Sequence, residues 1–408
     1  MKIKHIFFTL IIWFMAAVII FVIGEIGFRI FRGQPDHLQA IADDQKRQDY
    51  LFIPNQTKSY QSTMEGEFEY SARFNNFGFR GKDITMAKPK DKIRIFVVGD
   101  SFTFGVGSND HETIPFVLEK QLLESGFPVE VINAGQGHTS PVTHLDNIEN
   151  IDLQFNPDIV LLLFDMTDLR DDLQKERNAV YDDDGNVLRY DTTYEYGKKS
   201  WWLTLVIRSK FCQWIHNKIV RSVRKIQVLG FLNYMKIAAE GKRAKAEIAN
   251  LDNIKSKALI VEYDQMVLLR GRQRKEFIDW AWDHSTKKYL KKINDLLKKR
   301  DIDFLIGMYP YGIHVAGDEW EKGREYYGFE AGKVYDDLYP FEIMENFTNE
   351  YHIPFINAYP TFKQFDDETD LFFDYDGHLT PAGNKLVVKS IMADQNFQEL
   401  LEKHRPAN

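Results

Sequence analysis

The sequence predicts an α/β fold: a parallel sheet covered by helices on both faces. Three observations carry that expectation. The runs Ile93–Val98, Val129–Ile132 and Ile159–Phe164 are short, apolar and rich in β-branched residues, as strands buried on both faces are. Segments of helical periodicity separate them, the alternation that builds parallel sheets. Each run leads into small or polar residues: Gly99-Asp100-Ser101, Asn133-Ala134-Gly135-Gln136-Gly137 and Asp165-Met166-Thr167-Asp168. In an open parallel sheet, functional groups gather at those carboxyl ends.

The elements follow in order. Gly33–Lys90 is polar, carries Pro35, Pro54 and Pro89, and has no long periodic segment. It reads as a stem plus an N-terminal extension. Its Phe74-Asn75-Asn76-Phe77-Gly78-Phe79-Arg80-Gly81 stretch predicts turns, with the aromatics packed on the main domain. After the first strand, Thr113 is expected to cap a helix with Pro115 in its first turn. Ile114, Val117, Leu118 and Leu122 form its apolar stripe, and Gly126 ends it. A helix through Leu145 and Ile148 follows the second strand. Leu173–Arg300 is too long for a crossover and reads as a helical insertion. Asp182-Asp183-Asp184-Gly185-Asn186 is a turn rather than a calcium loop, because the twelfth position is Thr193 and not the ligating Glu. Trp201–Leu229 has an apolar side (Trp202, Leu205, Phe211, Ile215, Ile219) and a basic one (Arg208, Lys210, Lys218, Arg221, Arg224). It is either a helix packed on the domain or one lying on a membrane surface or over the site. Phe277–Leu297 predicts a helix with Trp280, Tyr289, Ile293 and Leu297 on one face. Phe304–Met308 and Ile356–Tyr359 are the fourth and fifth strands. Thr380 and Pro381 open a last helix through Val387, Val388 and Ile391.

Composition narrows the function. The 408 residues allow one large domain or two. A net charge of −8 argues against nucleic acid as the main partner, since phosphate binding needs a basic field. Cys212 is the only cysteine, which excludes an internal disulfide and a cysteine-based zinc site. No metal or organic cofactor is indicated, and His111, His138, His144 and His314 show no ligand spacing. Ile6–Gly24 is an uncharged apolar run of nineteen residues behind Lys2 and Lys4. That length suits a membrane-crossing helix. It lacks a cleavage signal of small residues at its end. The expectation is an uncleaved anchor at 6–24 with a cytoplasmic N-terminus and the rest exported. The expected organisation is therefore 1–32 anchor, 33–90 stem and extension, and 91–400 main domain with the insertion at about 173–300.

A serine alcohol needs a base in hydrogen-bond reach, and the base needs an orienting partner. Gly99-Asp100-Ser101-Phe102 and Asp374-Tyr375-Asp376-Gly377-His378 together contain all three parts. Alone, Ser101 reads as a turn serine, Gly137 as a turn glycine and His378 as a capping or core histidine. Their joint placement at strand ends reverses that. The sequence at this point resembles the SGNH, or GDSL-type, hydrolases over roughly Ile93–Ile391. Gly99-Asp100-Ser101-Phe102 resembles the nucleophile motif, with Phe in place of Leu. Asn133-Ala134-Gly135-Gln136-Gly137 resembles the glycine element, and Asp376-Gly377-His378-Leu379-Thr380-Pro381 the terminal acid-histidine motif. The resemblance implies a flavodoxin-like three-layer α/β/α sandwich with about five parallel strands. It also implies a triad of Ser101, His378 and Asp376, and an oxyanion hole of Ser101, Gly137 and Thr167.

Two departures from the pattern stand out. The Asn of the Gly-x-Asn-Asp element is replaced by Thr167, and loss of one oxyanion donor costs roughly 10²–10³ in rate. The residue three before His378 is Tyr375, so the acid is Asp376, with Asp374 as the alternative. Anchored relatives in this family commonly act on O-acylated carbohydrate of the envelope, and the resemblance implies such a substrate here. The resemblance therefore implies an esterase, or an O-acyltransferase that passes the acyl group to a polysaccharide. A catalytically weak scaffold is the third possibility. Tyr309, Tyr311 and Trp320 either stack on sugar rings or belong to the core.

Overall fold

The computed structural model describes residues 13, 21, 52–62, 67–177, 179–181, 187–190, 278–279, 281–326, 329–336 and 338–406. Apart from Trp13 and Phe21, the apolar run at 6–24 lies outside them, as do the amphipathic stretch at 201–229 and Trp280. Among the described residues no helix is long and apolar enough to cross a membrane. The chain divides into two compact units, 1–50 with 180–259 and 51–179 with 260–408. The second holds the sheet and the site. Residues 51–90, expected as a stem and extension, fall in that same unit.

The described elements begin with an antiparallel ribbon, β1 (Gln56–Gln61) and β2 (Glu69–Phe74). The sheet proper starts with β3 (Ile93–Gly99), every residue of which is buried. A four-residue helix α1 (Ser101–Phe104) and helix α2 (Ile114–Glu124) lead to β4 (Val129–Gly135). Helix α3 (Pro141–Asn150) leads to β5 (Ile159–Phe164), and α4 (Asp168–Arg177) leaves it. Ala179–Tyr181 (β6) and Val187–Tyr190 (β7) pair as a separate two-stranded sheet. They flank the turn expected at 182–186, which is outside the described residues. Helix α5 (Lys287–Lys299) enters β8 (Asp303–Met308), and α6 (Tyr339–Tyr351) enters β9 (Phe355–Asn357). Helices α7 (Pro381–Ala393) and α8 (Gln395–Lys403) close the chain.

The main sheet has the order β4-β3-β5-β8-β9, all parallel. Helices α3, α4 and α5 pack together, and α2, α7 and α8 form a second group. Burial on both faces explains why the strands read as unbroken apolar runs. Each fully buried Val, Leu or Ile contributes roughly 1.5–3 kcal/mol relative to exposure. A polar exception near the amino end is Arg94. Its Nε donates to Glu130 at 2.7 Å, and the rest of its guanidinium satisfies the Thr85, Met86 and Phe155 carbonyls. The strand order reverses between β3 and β5, which opens a crevice at their carboxyl ends.

Local departures from expectation have identifiable causes. Strand β4 runs on to Gly135 because its Asn133-Ala134-Gly135 end stays in register beside Val97-Val98-Gly99. Strand β9 stops at Asn357 because the Asn357 side chain accepts from Tyr359 N and a short helix with Pro360 near its start begins there. Thr113 precedes α2, but its hydroxyl donates to the Asp110 carbonyl instead of capping the helix. Thr380 does cap α7, accepting from Gly383 N at 3.3 Å. The helix expected over 277–297 carries a π-helical turn, Trp282–Thr286, ahead of α5.

Candidate active site

Gly99 ends β3 where only a glycine fits. A Cβ there would strike the Thr103 side chain and lie 3.0 Å from the Leu163 carbonyl. Asp100 then turns the chain, its carboxylate accepting Phe102 N at 2.9 Å, which opens α1 with Ser101 as its first residue. Gly105, at φ 90°, ends that helix in the left-handed region. Arg80 locks the far side of the turn. Its guanidinium donates to the carbonyls of Phe104, Gly105 and Ser108 at 2.8, 2.9 and 2.6 Å, and to Ser71 O and Asp110. Gly135 completes the fit, since a Cβ there would lie 2.6 Å from the Thr103 carbonyl carbon.

His378 arrives from the other end of the chain, on a loop just before α7. The Phe372–Leu379 bridge and the bonds Phe373 N to His378 O and Gly377 N to Phe373 O fold that loop on itself. Its ring packs against Phe102, centroids 4.5 Å apart. His378 Nε2 lies 2.7 Å from Ser101 Oγ. His378 Nδ1 is hydrogen-bonded to Asp376. A carboxylate can only accept, so Nδ1 carries the proton and Nε2 is free to receive one from the serine. Burial alone would lower the histidine pKa. The Asp376 hydrogen bond and the charges of Asp376, Asp100 and Asp165 outweigh it and hold His378 above the usual 6.5. Burial pushes the Asp376 carboxyl up, but its bonds and charge contact with His378 draw it below the usual aspartate value.

The other residues singled out in the sequence are placed as follows. Gly137 lies on the loop after β4, where a Cβ would meet open space. Gly135 N–H is taken by Asn133 Oδ1 at 3.0 Å. Thr167 sits at the end of β5, but both of its donors go to Asp165: the backbone N–H at 2.7 Å, and the hydroxyl. Asp374 is paired with Lys322. Tyr309, Tyr311 and Trp320 are 0%, 7% and 3% exposed and belong to the core. His144, bonded to Thr139, is buried and held neutral, its pKa lowered to about 3.

Sequence reasoning missed a buried acidic cluster close to Asp100 and His378. Asp165 accepts from the Tyr311 hydroxyl at 2.9 Å on both oxygens. Asp100 and Asp168 are buried near it, and all three carboxyls are raised, chiefly by burial; the charge of Asp165 adds to the shift of Asp100 and Asp168, and that of Asp171 to the shift of Asp165. The strand-end rule that selected Thr167 applies equally to Asp165. No sequence signal points to Tyr311 as its partner.

No protein-family model matches this chain, and no curated protein matches it. Among solved structures, GDSL-type hydrolases align with it at low identity. An acetyl xylan esterase, AlAXEase, aligns at 13% identity over 74% of this chain and 98% of its own, with a TM-score of 0.36. A lipolytic protein of the G-D-S-L family from Veillonella parvula aligns at 13% over 74% and 98%, TM-score 0.34. The lipase/acylhydrolase from Enterococcus faecalis aligns at 11% over 78% and 99%, TM-score 0.35.

Proposed function

We propose that this protein is a serine esterase acting on an O-acyl ester through Ser101, His378 and Asp376. One observation carries the reading: Ser101 Oγ is 2.7 Å from His378 Nε2, and Asp376 occupies the opposite ring nitrogen. Ser101 Oγ attacks the ester carbonyl and its proton passes to His378 Nε2. The tetrahedral intermediate collapses, the C–O bond to the alcohol breaks, and His378 returns the proton to the leaving oxygen. Water then repeats the sequence on the acyl-enzyme, releasing the acid and freeing the serine. The imidazolium formed midway is stabilised by Asp376. The backbone N–H groups of Ser101 and Gly137 receive the oxyanion. Thr167, with its donors committed to Asp165, supports the crevice instead of supplying a third donor.

In this reading the acyl ester is carried by an envelope carbohydrate, and the chain is held at the membrane through 6–24 with the catalytic domain outside. The apolar run and the family resemblance support both. If a sugar hydroxyl replaces water at the acyl-enzyme, the same residues perform O-acyl transfer. The test is a fluorophosphonate probe on the full chain in detergent, with p-nitrophenyl acetate as substrate. Labelling and turnover that vanish in Ser101→Ala support the esterase. A wild-type protein that neither labels nor turns over sinks it.

A further inference from the structure

We propose that Glu67 is a positioning residue of this site, fixing from the β1–β2 ribbon the backbone that carries Asp376 to His378. The inference rests on the Ser101–His378–Asp376 reading above. Glu67 Oε1 accepts Tyr375 N at 2.8 Å and Oε2 accepts Asp376 N at 3.0 Å. The two N–H groups are consecutive, so the carboxylate fixes the orientation of the peptide that precedes the acid. Asp376 in turn holds His378 by its ring and accepts His378 N at 3.3 Å. Phe68, next to Glu67, packs on Phe373 with centroids 4.7 Å apart, which anchors the ribbon to the same loop.

The choice of a carboxylate is itself informative. Burial pushes the Glu67 carboxyl up; the two backbone donors pull it down, and the charges of Asp376 and Asp374 push it up again. Lys322 offsets Asp374, and His378 offsets Asp376. An amide would avoid the repulsion between acids. It would also present an acceptor to one N–H and a donor to the other, so only a carboxylate satisfies both. Glu319 repeats the device at the start of the loop, where its carboxylate accepts Leu371 N at 3.0 Å and Phe372 N at 3.0 Å. The acid-histidine loop is thus held by two carboxylates from distant parts of the chain.

The experiment compares Glu67→Gln and Glu67→Asp with the wild type as full chains. Glu67→Gln is expected to lower kcat on p-nitrophenyl acetate about tenfold with KM within about twofold. It is also expected to move the acid limb of kcat/KM downward, because Asp376 holds His378 less firmly. Glu67→Asp, which keeps both oxygens, recovers part of the loss. In histidine-labelled protein, the low-field Nδ1 proton of His378 is expected to weaken in Glu67→Gln. A variant with wild-type kcat, pH limb and His378 resonance overturns the proposal. If Glu67→Gln does not fold, Glu67→Asp is measured by the same three readouts: a shift in them supports the proposal, and wild-type values overturn it. A wild type that neither labels nor turns over defeats the triad reading alone. The His378 resonance then decides on Glu67: unchanged in the variant overturns it, weakened supports it.

Discussion

Lys322 Nζ lies 2.7 Å from Asp374 Oδ2, and this pair separates two carboxylates that spacing alone leaves level. Asp376 meets His378, while Asp374 meets a lysine. Asp374→Asn is therefore expected to keep kcat within about threefold, since a partly exposed ion pair contributes little. Asp376→Asn should lose about 10⁴ in kcat, the cost of a mis-set histidine tautomer. Steady-state kinetics on p-nitrophenyl acetate checks both. Equal losses in the two variants would show that the acid has been misassigned.

The pH profile follows from the sign of the histidine shift. His378 must be neutral to accept the serine proton, and its pKa is held above 6.5. The protonated, inactive form therefore persists to higher pH than in a free histidine. Activity should rise with pH through a value above 6.5, and the residual limb in Asp376→Asn should lie lower. An acid limb below 6.5 in the wild type would contradict the ion pair.

The two glycines after β4 should respond differently to alanine. At Gly135 the added methyl meets the Thr103 and Phe104 backbone, so Gly135→Ala should cost about 3 kcal/mol and disturb the helix that carries Ser101. At Gly137 the methyl meets open space and the N–H is retained, so Gly137→Ala should fold and keep kcat within about threefold. Thermal melts and kinetics on both variants test this pair.

Asp172 predicts a pH dependence of stability. It is buried, accepts Val142 N at 2.9 Å and contacts the Thr286 hydroxyl at 2.6 Å, and burial raises its pKa to about 7. Such a group binds its proton more tightly when folded than when unfolded. Its contribution is therefore full at low pH and is lost as pH rises from about 4 to about 7, on the order of 4 kcal/mol in all. Asp172→Asn should flatten that decline in urea titrations run across the range. An unchanged slope would mean the carboxyl is ionised throughout.

The sheet was legible because strands buried on both faces are written as continuous apolar runs, and Leu161, Leu162 and Leu163 illustrate it. Ser101 and His378 were legible because strand-end placement and local motifs mark them. Thr167 was not: whether its hydroxyl faces the crevice depends on Asp165, and Asp165 on Tyr311, 146 residues away. Glu67 left no mark either, since its partners are backbone N–H groups 308 and 309 residues downstream, and backbone donors are the same for every sequence. The aromatics after β8 read equally well as stacking surface or core. Their spacing does not encode depth, and depth decided for the core.

Arg80 ties the ribbon to the Ser101 turn through one guanidinium: it donates to Ser71 O on one side and to Phe104 O, Gly105 O and Ser108 O on the other. The turn that carries Ser101 thus depends on a stretch of polypeptide that lies outside the Ser101–His378–Asp376 cluster. Any shortened gene or recombined descendant that begins at residue 91 would inherit the alcohol without its fastening.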